Sequence, residues 1–156
     1  MGIRLLLATC YLLLVFPLRA SLLVVTDPLS MPVPGVDRFQ LVDDWPSGYG
    51  IPEVVEFLRS EAKNGPLFVG TEGTFGLTPS ALEIYLKDEK NIQIKGYWPI
   101  GSGIPELSQI AETGLPTYLL FKDTQEPEPL WPLQFVEKYR KGRGNVFSSL
   151  YQVVPK

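Results

Sequence analysis

Between Gly65 and Tyr85 the chain reads Gly-Pro-Leu-Phe-Val-Gly-Thr-Glu-Gly-Thr-Phe-Gly-Leu-Thr-Pro-Ser-Ala-Leu-Glu-Ile-Tyr, and no other stretch restricts its fold as much. Leu67, Phe68 and Val69 suit a short buried strand. Gly70, Gly73 and Gly76 suit a turn, and a capped helix is predicted from about Thr78 or Pro79. Strand, glycine loop, helix is the building unit of open α/β sheets, and ligands gather at such loops.

The flanking sequence continues that alternation. Upstream, a helix is predicted from Pro52 to Lys63, with Val54, Val55, Phe57, Leu58 and Ala62 on one side and Asn64-Gly65 as its stop. Downstream, Ile92–Tyr97 reads as a second strand and Glu106–Glu112 as a short helix introduced by Pro105. Thr117–Phe121 is a nearly continuous apolar run, the mark of a central parallel strand. Two last strands, about Pro132–Tyr139 and Val146–Val153, flank Arg140-Lys141-Gly142-Arg143-Gly144-Asn145, which reads as a solvated hairpin turn. The expected fold is a small α/β sandwich, three-layer-like, with parallel central strands and an antiparallel C-terminal hairpin.

One transmembrane helix is expected ahead of it. Leu5 to Leu18 is mostly apolar, and a second run follows Arg19-Ala20-Ser21. Residues 1–26 therefore suit a retained anchor of roughly 20 apolar residues, with Arg4 favouring the N-terminus on the inner side. The competing reading is a signal peptide cleaved before Ser21. Leu6 occupies the position where N-myristoylation wants Ser or Thr. Residues 27–36, with Pro28, Pro32 and Pro34, suit a stiff tether in extended or turn conformation, and residues 37–156 an extracytoplasmic domain.

Composition excludes several chemistries. There is no histidine among the 156 residues, which removes the commonest general base and metal ligand and every Ser-His-Asp or Cys-His mechanism. The single cysteine, Cys10, lies in the apolar run, so no disulfide is expected in the domain. A net charge of −3 gives no footprint for nucleic acid. No catalytic residue, metal or cofactor is assigned.

The candidate binding residues are Trp45, Tyr49, Glu72, Phe75, Tyr97 and Trp98, all in or beside loops at one expected end of the sheet. Aromatic rings there can stack on a sugar or a lipid headgroup; packing of loops against the core is the plainer alternative. The glycines at 70, 73 and 76 match neither the dinucleotide fingerprint nor the P-loop, and Glu72 opposes a phosphate. Asp43-Asp44 with Glu72 offers a carboxylate pair or a divalent-metal site, against which stands a reading as solvated caps. Arg140, Lys141 and Arg143 offer a contact for anionic lipid or phosphate.

Five stretches together carry a resemblance: Leu23-Val24-Val25-Thr26-Asp27-Pro28, Asp37-Arg38-Phe39-Gln40, Asp44-Trp45-Pro46-Ser47-Gly48-Tyr49-Gly50, Gly70-Thr71-Glu72-Gly73-Thr74-Phe75-Gly76 and Gly96-Tyr97-Trp98-Pro99-Ile100. The set resembles the C-terminal region of bacterial multi-spanning glycosyltransferases of the dolichyl-phosphate-mannose–protein mannosyltransferase type. The resemblance implies a last membrane helix followed by an extracytoplasmic α/β domain. It implies partners in the lipid bilayer, a membrane glycosyltransferase subunit, and a polyprenyl-linked sugar or its acceptor. The family's catalytic acidic residue lies in an extracytoplasmic loop that matches no position here, so the expectation is a fragment or accessory domain without the catalytic part. The alternatives are an interaction module without ligand and a small histidine-independent enzyme.

Overall fold

The computed structural model of the protein describes residues 2–124 and 126–155, the side chains of residues 3–8 excepted. The chain divides into two compact units, Met1–Arg38 and Phe39–Lys156.

The first unit is dominated by helix α1 (Gly2–Thr26), 25 residues long and unbroken at Pro17. Its Thr9–Thr26 segment has a mean hydropathy of 1.8, and the helix is long and apolar enough to cross a membrane. Of the extended and turn conformations that its prolines allow, the following segment takes turns at both ends. Pro28–Ser30 makes one 3₁₀ turn, and Gly35–Arg38 a short helical turn, α2. Arg38 folds the segment back on itself: Nη1 donates to the Leu29 carbonyl at 2.7 Å and Nη2 donates to the Met31 carbonyl. A guanidinium offers five donors in a planar fork, so one side chain reaches two carbonyls of the proline-rich stretch at once.

The second unit opens with a wide helical turn at Phe39–Asp43 that buries Val42. The elements then follow as α3 (Ile51–Ala62), β1 (Leu67–Glu72), α4 (Leu77–Tyr85), β2 (Ile92–Tyr97), α5 (Ile104–Glu112), β3 (Thr117–Phe121), β4 (Leu133–Arg140) and β5 (Phe147–Val153). The sheet order is β2-β1-β3-β5-β4. β1 is parallel to both β2 and β3, β5 runs antiparallel to β3, and β4 closes the edge as the antiparallel partner of β5. The fold is mixed α/β, as the alternating pattern predicts.

Alternation along the central strands assigns each face a separate core. Leu67, Val69, Tyr118, Leu120 and Leu150 pack with Val54, Val55 and Leu58 of α3 and Leu82 of α4. Phe68, Leu119, Phe121 and Val153 pack with Ile104 and Leu107 of α5. Two helices, a sheet and a third helix make three layers.

β1 is longer than expected, because Gly70, Thr71 and Glu72 belong to it and are fully buried in it. Gly70 is therefore not a turn residue. A Cβ there would lie 2.9 Å from a Leu107 methyl, so the missing side chain makes room for α5. The turn proper is Gly73–Gly76, with positive φ at both glycines (95° and 84°). Within α4 only Thr78 departs from helical angles (φ −119°, ψ 130°), and its hydroxyl donates to the Glu72 carbonyl at 2.8 Å.

Truncating a buried side chain in the middle of this sheet should cost far more than truncating an exposed one. Leu120→Ala is expected to lower the unfolding free energy by about 2–5 kcal/mol, and Ile84→Ala, on the exposed side of α4, by less than about 0.5 kcal/mol. Denaturant unfolding of the full chain in detergent micelles checks both.

Candidate functional site

Three parallel strands end together, and a cleft lies where they end. β1 sends its crossover to β2 on one side, and the chain then returns past β1 to β3 on the other. In open α/β sheets such a reversal of strand order leaves a crevice beyond the carboxyl ends of the strands. Here the crevice has a volume of about 380 Å³, at the lower end of the small-molecule range. Glu72 ends β1, Gly73, Thr74 and Phe75 form the turn after it, Trp98 follows β2, Lys122 and Asp123 follow β3, and Trp45 comes from the loop before α3. A depression of about 800 Å³ along the back of α3 is larger, but its Arg59 is already bound to Glu89 and to the Tyr85 carbonyl.

The structure thus brings together four of the six expected residues: Trp45, Glu72, Phe75 and Trp98. Their rings are open to solvent, with 41% of Trp45, 79% of Phe75 and 68% of Trp98 exposed. Tyr49 and Tyr97 do not line the cleft. Tyr49 is half-buried, with its amide donating to the Ser47 hydroxyl oxygen at 3.4 Å. Tyr97 is buried among the residues packed on α5, where burial and then the Glu106 carboxylate push its phenol up. Lys122 and Asp123 are cleft residues that the sequence pattern does not single out; they follow the Thr117–Phe121 strand. Their signal was position, since Thr117–Phe121 was legible as a parallel strand and whatever follows its carboxyl end faces the crevice.

Glu72 is the most heavily bonded side chain at the site. Its Oε2 accepts from the backbone amides of Lys122, Asp123 and Thr124 at 2.9, 2.8 and 3.1 Å. Its Oε1 accepts from the Thr124 hydroxyl. Burial by itself pushes the carboxyl up; the Thr124 hydroxyl and the three amides outweigh it and hold the carboxyl below its ordinary value. Glu72 is therefore an ionised clamp on the loop after β3.

The carboxylate pair considered from sequence is not assembled for acid–base work. Asp43 accepts from the Arg143 amide at 2.7 Å and so caps the hairpin turn, while Glu72 is occupied by its four donors. Among the described residues no group of three His, Cys, Asp or Glu side chains is placed to hold a metal ion.

Lys122 crosses the cleft wall, its Nζ 4.6 Å from the centre of the Trp45 ring, a cation–π contact. Gly73 permits that approach, because a Cβ there would lie 2.8 Å from the same Nζ. Gly96 does the same for the turn: Gly73 and Thr74 lie directly over it, and the Gly73 amide donates to the Tyr97 carbonyl at 2.9 Å. The hairpin turn is the clearest departure from expectation. Lys141 is fully buried, and its Nζ donates to the Trp45 carbonyl at 2.8 Å and to the Lys122 carbonyl at 2.9 Å.

Comparison with protein-family models, curated proteins and solved structures finds no match. The geometry of the cleft is the ground on which a functional reading rests.

Glu72→Gln keeps the shape and replaces the acceptor pair with an amide. Because the folded-state pKa lies below the unfolded value of 4.5, the carboxylate's stabilisation is complete above that value and is lost as pH falls through the folded pKa. Wild type is expected to exceed Glu72→Gln by about 1–3 kcal/mol at pH 7, the gap closing below pH 4.5. Unfolding curves of both proteins from pH 3 to 7 check the direction.

Proposed function

We propose that this chain is a membrane-anchored, extracytoplasmic saccharide-binding domain, part of or accessory to a polyprenyl-phosphate-sugar-dependent membrane glycosyltransferase. The observation that carries the reading is the convergence of Trp45, Phe75 and Trp98, all solvent-open, with Lys122 and Asp123 in one cleft at the strand ends. A pyranose has an apolar C–H face and a rim of hydroxyls. Open aromatic rings match the face, and polar groups at a cleft margin match the rim.

The membrane part of the proposal is supported by helix α1. Arg4 flanks its apolar run on the N-terminal side, which favours the N-terminus inside and the domain across the membrane. The glycosyltransferase association rests on the resemblance carried by the Asp44–Gly50, Gly70–Gly76 and Gly96–Ile100 stretches, each of which supplies cleft residues. Binding is favoured over catalysis by the state of Glu72, because a carboxylate saturated by four donors has no proton to give and little basicity to offer.

The test is a saccharide titration of the full chain in detergent micelles, with 5-fluorotryptophan as reporter. Short glycans and polyprenyl-phosphate sugars are expected to shift the Trp45 and Trp98 resonances and leave Trp131 in place. Trp98→Ala should weaken binding about tenfold, about 1.4 kcal/mol, while Tyr49→Phe should leave it unchanged. If no saccharide moves either resonance at millimolar concentration, the binding reading fails.

A further inference from the structure

The cleft depends on a residue that does not line it. Lys141 sits in the turn between β4 and β5, with no exposed surface. Its Nζ reaches Trp45, 96 positions away in sequence, and Lys122, 19 positions away. Those two residues are the pair whose ring and ammonium make the cation–π contact on the cleft wall. A single nitrogen thus ties the loop before α3 and the loop after β3 to the hairpin turn.

We propose that Lys141 is a positioning residue of the cleft, whose bound proton holds the Trp45 and Lys122 segments together and so makes ligand affinity depend on pH. The proposal rests on the saccharide reading for its ligand and, for its switch, on the two hydrogen bonds of the buried Nζ and the charges around it.

The charges around Lys141 fit this role. Asp44 comes from the loop before α3, Glu72 from β1, and Asp123 from the loop after β3. All three favour the ammonium, while Lys122 disfavours it. On the turn itself Asp43 caps the Arg143 amide, and Arg140 is spent on the Gly144 and Arg143 carbonyls. Burial is the largest influence, and it brings the ammonium down from 10.5 to about 8. Loss of the proton leaves an amine that still reaches both carbonyls, but its bonds lose their charge assistance. The carboxylates of Asp44, Asp123 and Glu72 also lose a shared counter-ion.

The sign for stability follows from linkage. The folded pKa lies below the unfolded value, so between about pH 8 and 10.5 the unfolded chain binds more protons, and the folded state gains stability as pH rises. Cleft order and global stability therefore move in opposite directions with pH. A residue with a merely structural role would not produce that divergence.

The experiment follows the 19F resonance of Trp45 in the full chain with 5-fluorotryptophan, in micelles, assigned with Trp45→Phe, from pH 6.5 to 9.5. Wild type should show a transition centred near pH 8, absent in Lys141→Arg, whose guanidinium keeps its proton throughout. Should the buried site reject arginine and the variant not fold, wild type labelled with 13C at lysine Cε decides. One lysine must then titrate in step with Trp45. Affinity for whichever saccharide binds at pH 7 should fall by up to about tenfold at pH 9, the limit set by the protonated fraction. A flat Trp45 signal, or a transition that persists in Lys141→Arg, overturns the proposal. So does saccharide affinity that is equal at pH 7 and pH 9, and in that case the saccharide reading stands. A Trp45 transition without saccharide binding at any pH sinks the saccharide reading and leaves the positioning role in place.

Discussion

One buried carboxylate organises the functional end of this domain. Glu72 ends β1 almost wholly buried, and an unpaired ion in that position would cost several kcal/mol. Four donors from residues 122–124 offset the cost. Hydrogen bonds to an ionised acceptor are roughly twice as strong as neutral ones, so the loop after β3 has little freedom left. That loop fixes Lys122, Lys122 lies across the Trp45 ring, and the Lys122 carbonyl receives Lys141. The wall of the cleft is a chain of consequences that starts at Glu72.

What could be read from the sequence follows from which forces are local. The strand Thr117–Phe121 is legible at both ends because an unbroken apolar run must be buried on both faces. Ile92–Tyr97 is legible from its alternation. Gly70 is misread as a turn residue because its reason for being glycine lies in Leu107, on a helix that local pattern cannot place beside it. The prolines of the tether announce extended or turn backbone, but not that Arg38 supplies the donors that fold the segment back. Lys141, flanked by arginine and glycine, has the local character of a solvated turn. Its burial is decided by a carbonyl 96 residues away.

The candidate site shows the same division. Glu72, Phe75 and Trp98 converge because parallel strands bring their carboxyl ends, and the loops beyond them, to one edge, where Trp45 joins them from the loop before α3. Trp98 and Tyr97 are neighbours with opposite fates. Tyr97 is the last residue of β2 and packs on α5, whereas Trp98, the first residue beyond the strand, is left to solvent. Loop membership alone did not separate the two; the end of the strand between them did. Lys122 and Asp123 needed the sheet order, which no local pattern contains.

The two sides of the cleft differ in how firmly they are built. The side formed by residues 122–124 and Trp45 is fixed by Glu72 and Lys141, and the Trp45 ring already carries an ammonium on one face. The side formed by Thr74 and Phe75 hangs between two glycines of positive φ and is tied to β2 by the Gly73 amide. Phe75 and Trp98, the two most exposed rings, are therefore the surfaces free to meet a ligand's apolar face, while Trp45 serves with Lys122 as wall. On the saccharide proposal, a hydrogen-bonded polar wall facing an open aromatic rim suits ligands that share a ring shape and differ in their substituents. Orientation then comes from the wall and tolerance from the rim.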